Sequence, residues 1–199
     1  MYPIVHHHPF ELLVINYLSL LKGKGSYHTV LLVMDTFFQY TWGFKLKHHG
    51  IAKHTINTLH SITHVFYTPK ILMTDRGLYF NNGNMQAWCE ANGTKHQITA
   101  PYAPWINGFV ENANRQLIGY LRCLYSSEVG EENTPNASMD GVDHAWPDHF
   151  NTAIHQLNKC IFLALCFSPK ELLLGLMVNT SYTPPTVATS GVQPSNVDI

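Results

Sequence analysis

The sequence has no surplus of positive charge: 12 Lys and Arg stand against 13 Asp and Glu, for a formal net charge of −1 with His neutral. Proteins that grip polyanions ordinarily carry a basic excess that replaces counterions along the phosphates, so any nucleic-acid affinity of this chain is expected to be weak and salt-sensitive. Its 13 His add charge only at acidic pH. Cysteine is scarce: Cys89, Cys123, Cys160 and Cys166 form no Cys-x-x-Cys pair. They read as reduced, partly buried thiols of an intracellular protein, nuclear or cytoplasmic. The tract His6-His7-His8 has no downstream thiolate pair either, so it reads as a polar lead-in and not as a zinc module. Long hydrophobic runs are missing as well. The stretch from Ile161 to Cys166 is far too short to cross a bilayer, and no signal-peptide pattern opens the chain, so no membrane partner is expected.

What is present is a globular composition, 45% hydrophobic and 13% charged over 199 residues, enough for one domain with a core and tails. Strands are predicted at residues 10–18, 27–34 and 37–46, with Lys22-Gly23-Lys24-Gly25 as the first hairpin turn. Residues 49–66 have near-helical apolar spacing, residues 70–74 form a fourth strand, residues 82–92 a helix stopped by Asn92-Gly93, and residues 94–99 a fifth strand. A long helix follows over 104–125, with Val110, Leu117, Leu121 and Leu124 on its apolar face and Glu111 turned toward the strands. Residues 126–145 read as a mobile excursion rich in acids and turn formers, residues 146–165 as a helix, and Ser168-Pro169 with Glu171 as a capped helix start. The expected organisation is a lead-in over 1–9, one core domain over 10–178 and a disordered tail over 179–199.

Two acids carry the chemistry. Asp75 lies in Ile71-Leu72-Met73-Thr74-Asp75-Arg76-Gly77, where an apolar run breaks into a turn, and Glu111 follows after thirty-five intervening residues in Asn107-Gly108-Phe109-Val110-Glu111-Asn112. An acid at a strand end and another near a helix start are the usual parts of a divalent-metal site for phosphodiester chemistry, and paired carboxylates suit Mg²⁺. Taken singly, Asp75 would cap a turn and Glu111 would favour a helix amino terminus. Asp35 is expected to make a turn or strand-end hydrogen bond without a metal role.

Both acids sit in motifs that resemble the catalytic core of retroviral and retrotransposon integrases, gypsy-type elements above all. Further matching stretches are Pro9-Phe10-Glu11-Leu12-Leu13, Ala100-Pro101-Tyr102-Ala103-Pro104-Trp105 and Ser168-Pro169-Lys170-Glu171-Leu172. The resemblance implies an α/β, ribonuclease-H-like fold with a five-stranded mixed sheet flanked by helices, its first three strands antiparallel. It implies DNA integration, meaning 3′ processing of element ends and strand transfer into target DNA, with Mg²⁺ or Mn²⁺ held by Asp75 and Glu111. The family's first Asp corresponds to Asn16 in Val14-Ile15-Asn16-Tyr17. An amide in place of the bridging carboxylate implies weak metal binding and impaired catalysis.

The resemblance further implies a homo-oligomer and DNA as partner, with RNA as a second polynucleotide. Lys95, His96, Trp105, Asn107 and Arg115 are the expected nucleic-acid contacts, Asn107-Gly108 forming a positive-φ turn at the rim. Asn16 also fits a domesticated, non-catalytic nucleic-acid- or protein-binding module, a decayed element fragment, or a deliberate replacement.

Overall fold

The computed structural model describes residues 8–48, 50–98, 104–129, 144–162 and 166–175. Five strands, β1 (Leu12–Ser19), β2 (Thr29–Asp35), β3 (Thr41–Leu46), β4 (Ile71–Thr74) and β5 (Lys95–Ile98), form one sheet in the order β3-β2-β1-β4-β5. β1 and β3 flank β2 antiparallel, whereas β4 and β5 run parallel to β1. This is the mixed sheet the sequence predicts. The five helices are α1 (Ala52–Thr63), α2 (Gly83–Ala91), α3 (Pro104–Val129), α4 (Trp146–Lys159) and α5 (Pro169–Leu174).

Alternation along the strands assigns the two faces. Leu13, Ile15, Leu31, Val33 and Leu72 pack with Leu59 and Ile62 of α1 and with Met85, Trp88 and Cys89 of α2. Val30 and Leu32 pack on the opposite face with Leu117 and Leu121 of α3 and with Trp146, Phe150 and Ala153 of α4. Strand β2 is therefore buried along its whole length, which is why it reads as an apolar run and not as an alternating strand. The edge strand β3 is covered by α4. Asn158 accepts from Thr41 N at 2.8 Å and donates to Thr41 O at 2.7 Å, so a side chain satisfies backbone groups that an edge leaves open.

Several predicted boundaries move for physical reasons. β3 starts at Thr41 and not at Phe37, because Asp35 accepts from the amides of Phe37 and Phe38 at 2.9 and 2.8 Å and holds them in a turn. α3 runs on to Val129, so the excursion expected from 126 begins later, and its central residues 130–143 lie outside the described residues. α4 stops at Lys159, where Cys160 turns extended, and an isolated bridge joins Phe162 to Phe167. Asn107-Gly108 lies inside α3 and is no positive-φ turn. The Asn92-Gly93 stop is present with Gly93 at φ 63°, and Ser168 with Glu171 closes a capping box on α5. All four cysteines are free, with Cys89 buried. The lead-in up to residue 7 and the tail from 176 onward lie outside the described residues.

Candidate active site

Asn16 is positioned by the register of β1. Even-numbered residues of this strand face α3, so Asn16 shares a small cavity with Val14, Leu32, Met34, Thr41 and, from α3, Ala113. The parallel ladder pairs Ile15 with Thr74. Asn16 is the next residue of β1 after that pair, and Asp75 is the residue that follows Thr74 where β4 ends.

Asp75 follows the last residue of β4, where the backbone leaves the sheet. Its Oδ1 accepts from the Gly77 amide at 2.8 Å and its Oδ2 from the Tyr79 hydroxyl at 3.2 Å. An ionised carboxylate offers about four acceptor sites, so this half-buried acid keeps capacity for other partners. Thr74 Oγ1 donates to the Asp75 carbonyl at 3.0 Å and lies 2.9 Å from His96 Nε2. Burial lowers the pKa of His96, which keeps the ring neutral near pH 7. Burial first, and then the Asp75 charge, raises the Tyr79 pKa, so the phenol stays protonated.

Glu111 lies on α3, exposed, two residues ahead of the buried stripe that begins at Ala113 and continues through Leu117 and Leu121. Two residues are about 200° of helix, so Glu111 points away from that stripe and is not turned onto the sheet as its apolar neighbours suggested. The shared cavity sets Ala113, about three turns into α3, over Asn16. The structure thus puts Asn16 on β1 and Asp75 after the neighbouring strand β4, while Glu111 stands on the exposed side of α3, away from the face that meets the sheet.

Residues 6–104 match the integrase core domain family. The Pro-Pol polyprotein of simian foamy virus type 3 (strain LK3) is 24% identical over 174 residues, 87% of this chain and 14% of that protein. A retrovirus-related Pol polyprotein from transposon RE2 of Arabidopsis thaliana is 24% identical over 138 residues, 67% of this chain and 8% of that protein. The chain therefore spans a small part of the curated relatives it matches. The HTLV-2 integrase catalytic core domain, solved in complex with magnesium in a trimeric form, superposes with a TM-score of 0.59 at 19% identity, covering 82% of this chain and 95% of that one. Over residues 6–104 the chain is similar to integrase core domains, and its curated relatives are of the retroviral and retrotransposon type. Its sheet and helices have the ribonuclease-H-like fold of those cores.

Each candidate metal donor of this chain is an oxygen: the Asn16 amide and the carboxylates of Asp75 and Glu111. That chemistry fits Mg²⁺ or Mn²⁺ and not a thiolate-seeking ion. Among the described residues no three His, Cys, Asp or Glu side chains gather into a metal-holding group. Asp35 is no substitute. It pairs with Leu13 at the opposite end of β1, is fully buried, and gives its oxygens to the amides of Phe10, Phe37 and Phe38.

Of the expected nucleic-acid contacts, Lys95 is exposed on β5 and Arg115 is exposed on α3, where Nη2 reaches Asn112 Oδ1 at 3.5 Å. His96 alternates inward between Lys95 and Gln97 and spends its Nε2 on Thr74, so it is no free cation. Trp105 and Asn107 are placed on α3 by the backbone alone, and their side chains lie outside the described residues. Sequence reading missed Tyr79, although the spacing Asp75-x-Gly77-x-Tyr79 held the signal. It also missed Lys45 and Lys47, whose ammonium groups lie 5.1 and 5.2 Å from the Tyr27 ring centroid. Alternate residues of one edge strand share a face, which is what could have paired them. No helix among the described residues is long and apolar enough to cross a membrane.

Proposed function

We propose that this chain is the catalytic core of a gypsy-type element's integrase, built for 3′ processing and strand transfer and impaired by Asn16 at the first acid position. The carrying observation is the order of the sheet, which sets β1 with Asn16 directly beside β4, the strand that Asp75 follows. Asp75 and Glu111 are the carboxylates that would hold the metal, with Asn16 offering its amide oxygen, and Glu111 would have to turn in from the exposed side of α3 to join them. Bound there, Mg²⁺ or Mn²⁺ would supply activation of the attacking oxygen and charge neutralisation at the phosphate.

The residues divide the remaining work. Asp75, fixed by its turn, presents negative charge at the sheet edge, and Glu111 presents it from the exposed side of α3, where a DNA end has access. Asn16 presents only a dipole. A unit charge pair at about 4 Å is worth about 4 kcal/mol at an effective dielectric near 20, and a divalent ion roughly doubles that before solvent compensates. Even a quarter of such a loss in the transition state slows chemistry by about an order of magnitude or more. In 3′ processing, water attacks a phosphodiester near the element end, and in strand transfer the freed 3′ hydroxyl attacks target DNA. Lys95 and Arg115 hold phosphates, and Trp105 and Asn107 meet the DNA end from the start of α3. Joining two ends requires a homo-oligomer and access to nuclear DNA. RNA enters only as a competitor.

Asn16 also favours a second reading, a domesticated module or decayed fragment that keeps the fold and has lost the chemistry. Strand-transfer assays separate the two. The unmodified chain should show little or no product, Asn16→Asp a recovery of about tenfold or more, and Asp75→Asn or Glu111→Gln added to Asn16→Asp a complete loss. Robust metal-dependent transfer by the unmodified chain would overturn the impairment. An Asn16→Asp chain that binds metal and stays inert supports the second reading.

A further inference from the structure

Asp75 is held by more than the turn it begins. The Gly77 amide fixes Oδ1 and the Tyr79 hydroxyl donates to Oδ2, so both oxygens have assigned partners before any ligand arrives. Gly77 makes this possible. A Cβ built on Gly77 would run into the ring and hydroxyl of Tyr79, so only glycine lets the Tyr79 ring lie across the turn and reach back to the acid. The ring is braced in turn. Tyr17 meets it edge-on with centroids 4.7 Å apart at 78°, Phe80 does the same at 4.7 Å, and the Tyr17 hydroxyl lies 2.9 Å from Thr55 Oγ1 on α1. Tyr17 is the residue after Asn16. A single aromatic bracket thus ties Tyr17 of β1, on the sheet face opposite Asn16, to the orientation of the Asp75 carboxylate.

We propose that Tyr79 is the positioning residue of this site, holding Asp75 in the rotamer that offers its remaining acceptor sites to a divalent cation. The proposal rests on the metal reading given above. Its physical basis is that an oxygen ligand already oriented loses less rotamer freedom on binding, and that hydrogen-bond partners of ligating carboxylates commonly contribute about ten- to a hundredfold in metal affinity. Oxygen donors and a hard cation suit one another here because a hydrogen bond to one lone pair leaves the others free. The opposite arrangement, in which the phenol shields the acid from metal, makes the opposite prediction.

The test uses Mn²⁺ titration followed by electron paramagnetic resonance, on the unmodified chain and on Asn16→Asp, each with Tyr79→Phe or Gly77→Ala. The Asp75 carboxyl ¹³C resonance is read in the metal-free protein alongside. Tyr79→Phe keeps the aromatic bracket and removes only the hydroxyl. It should move the Asp75 resonance without metal and weaken Mn²⁺ binding by about tenfold in the Asn16→Asp background. Gly77→Ala, which displaces the ring and leaves the hydroxyl in the chain, should reproduce both effects. Equal Mn²⁺ affinity with and without the hydroxyl overturns the proposal, as does tighter binding in Tyr79→Phe, which would mark the phenol as a shield. A loss in Gly77→Ala alone overturns it too, since the turn backbone would then be the positioning element. If Asn16→Asp binds no Mn²⁺ at all, the metal reading itself fails and takes this inference with it. The Asp75 resonance tells that outcome apart from a missing hydrogen bond.

Discussion

Two aspartates close two ends of the same sheet and do different work. Asp35 ends β2 beside the start of β1. It is fully buried, and its oxygens accept three backbone amides, from Phe10, Phe37 and Phe38. Asp75 follows β4 at the other end, half-buried, with one backbone amide and one phenol as partners. Both begin a turn, and sequence propensity treats them alike. What separates them is spare acceptor capacity. A carboxylate surrounded by amide donors belongs to the fold, whereas one with open lone pairs can take a cation.

Removing each acid should break the comparison cleanly. Asp35→Ala orphans three amide donors, at about 1–3 kcal/mol each when buried, and is expected to cost about 3–5 kcal/mol in all because two of them are half-buried. Asp75→Ala should cost about 1 kcal/mol or less, since Gly77 and Tyr79 can turn to water. Urea denaturation midpoints read both. Similar losses at the two sites would mean that Asp75 is as structural as Asp35.

A smaller effect sharpens the Asp75 end. His96 has a lowered pKa because burial disfavours its charged form. Between that folded value and about 6.5, the unfolded chain binds more protons than the folded one, so stability is present above about pH 6.5 and is lost as pH falls below it. Replacing His96 by Gln, which can still bond Thr74, should flatten the fall of stability below about pH 6.5 relative to the parent. Identical slopes would show that His96 titrates as it does in the unfolded chain.

The sheet was legible because its signals are local. Apolar runs bounded by glycine and proline located all five strands, and β4, α2 and β5 fall within one residue of their expected bounds. The errors arose where a distant side chain decides a boundary: the Asp35 carboxylate that bends residues 37 and 38 into a turn, and the close fit of Ile154 and Phe150 over Gly43 that fixes α4 on β3. At the site, the Asp75 motif and the Asn16 strand were readable, and the parallel pairing of β1 with β4 follows from the fold. The outward turn of Glu111 was misjudged because it sits beside Val110 in sequence, whereas on the helix it lies well round from the buried face of Ala113, Leu117 and Leu121. The neutral, inward His96 was not readable, since a four-residue strand alternates too briefly to declare its inner face.

In the function proposed above, Asn16 stands where a metal-bridging acid would serve with Asp75. The most direct test is the Mg²⁺ or Mn²⁺ affinity of the unmodified chain beside Asn16→Asp, measured by isothermal titration calorimetry, with Asp75→Asn added as a control. The added carboxylate should tighten binding by about tenfold or more, consistent with the charge a hard divalent ion seeks, and Asp75→Asn should abolish the gain. Equal affinity in the unmodified and Asn16→Asp chains would contradict the claim, because it would place Asn16 outside the metal site.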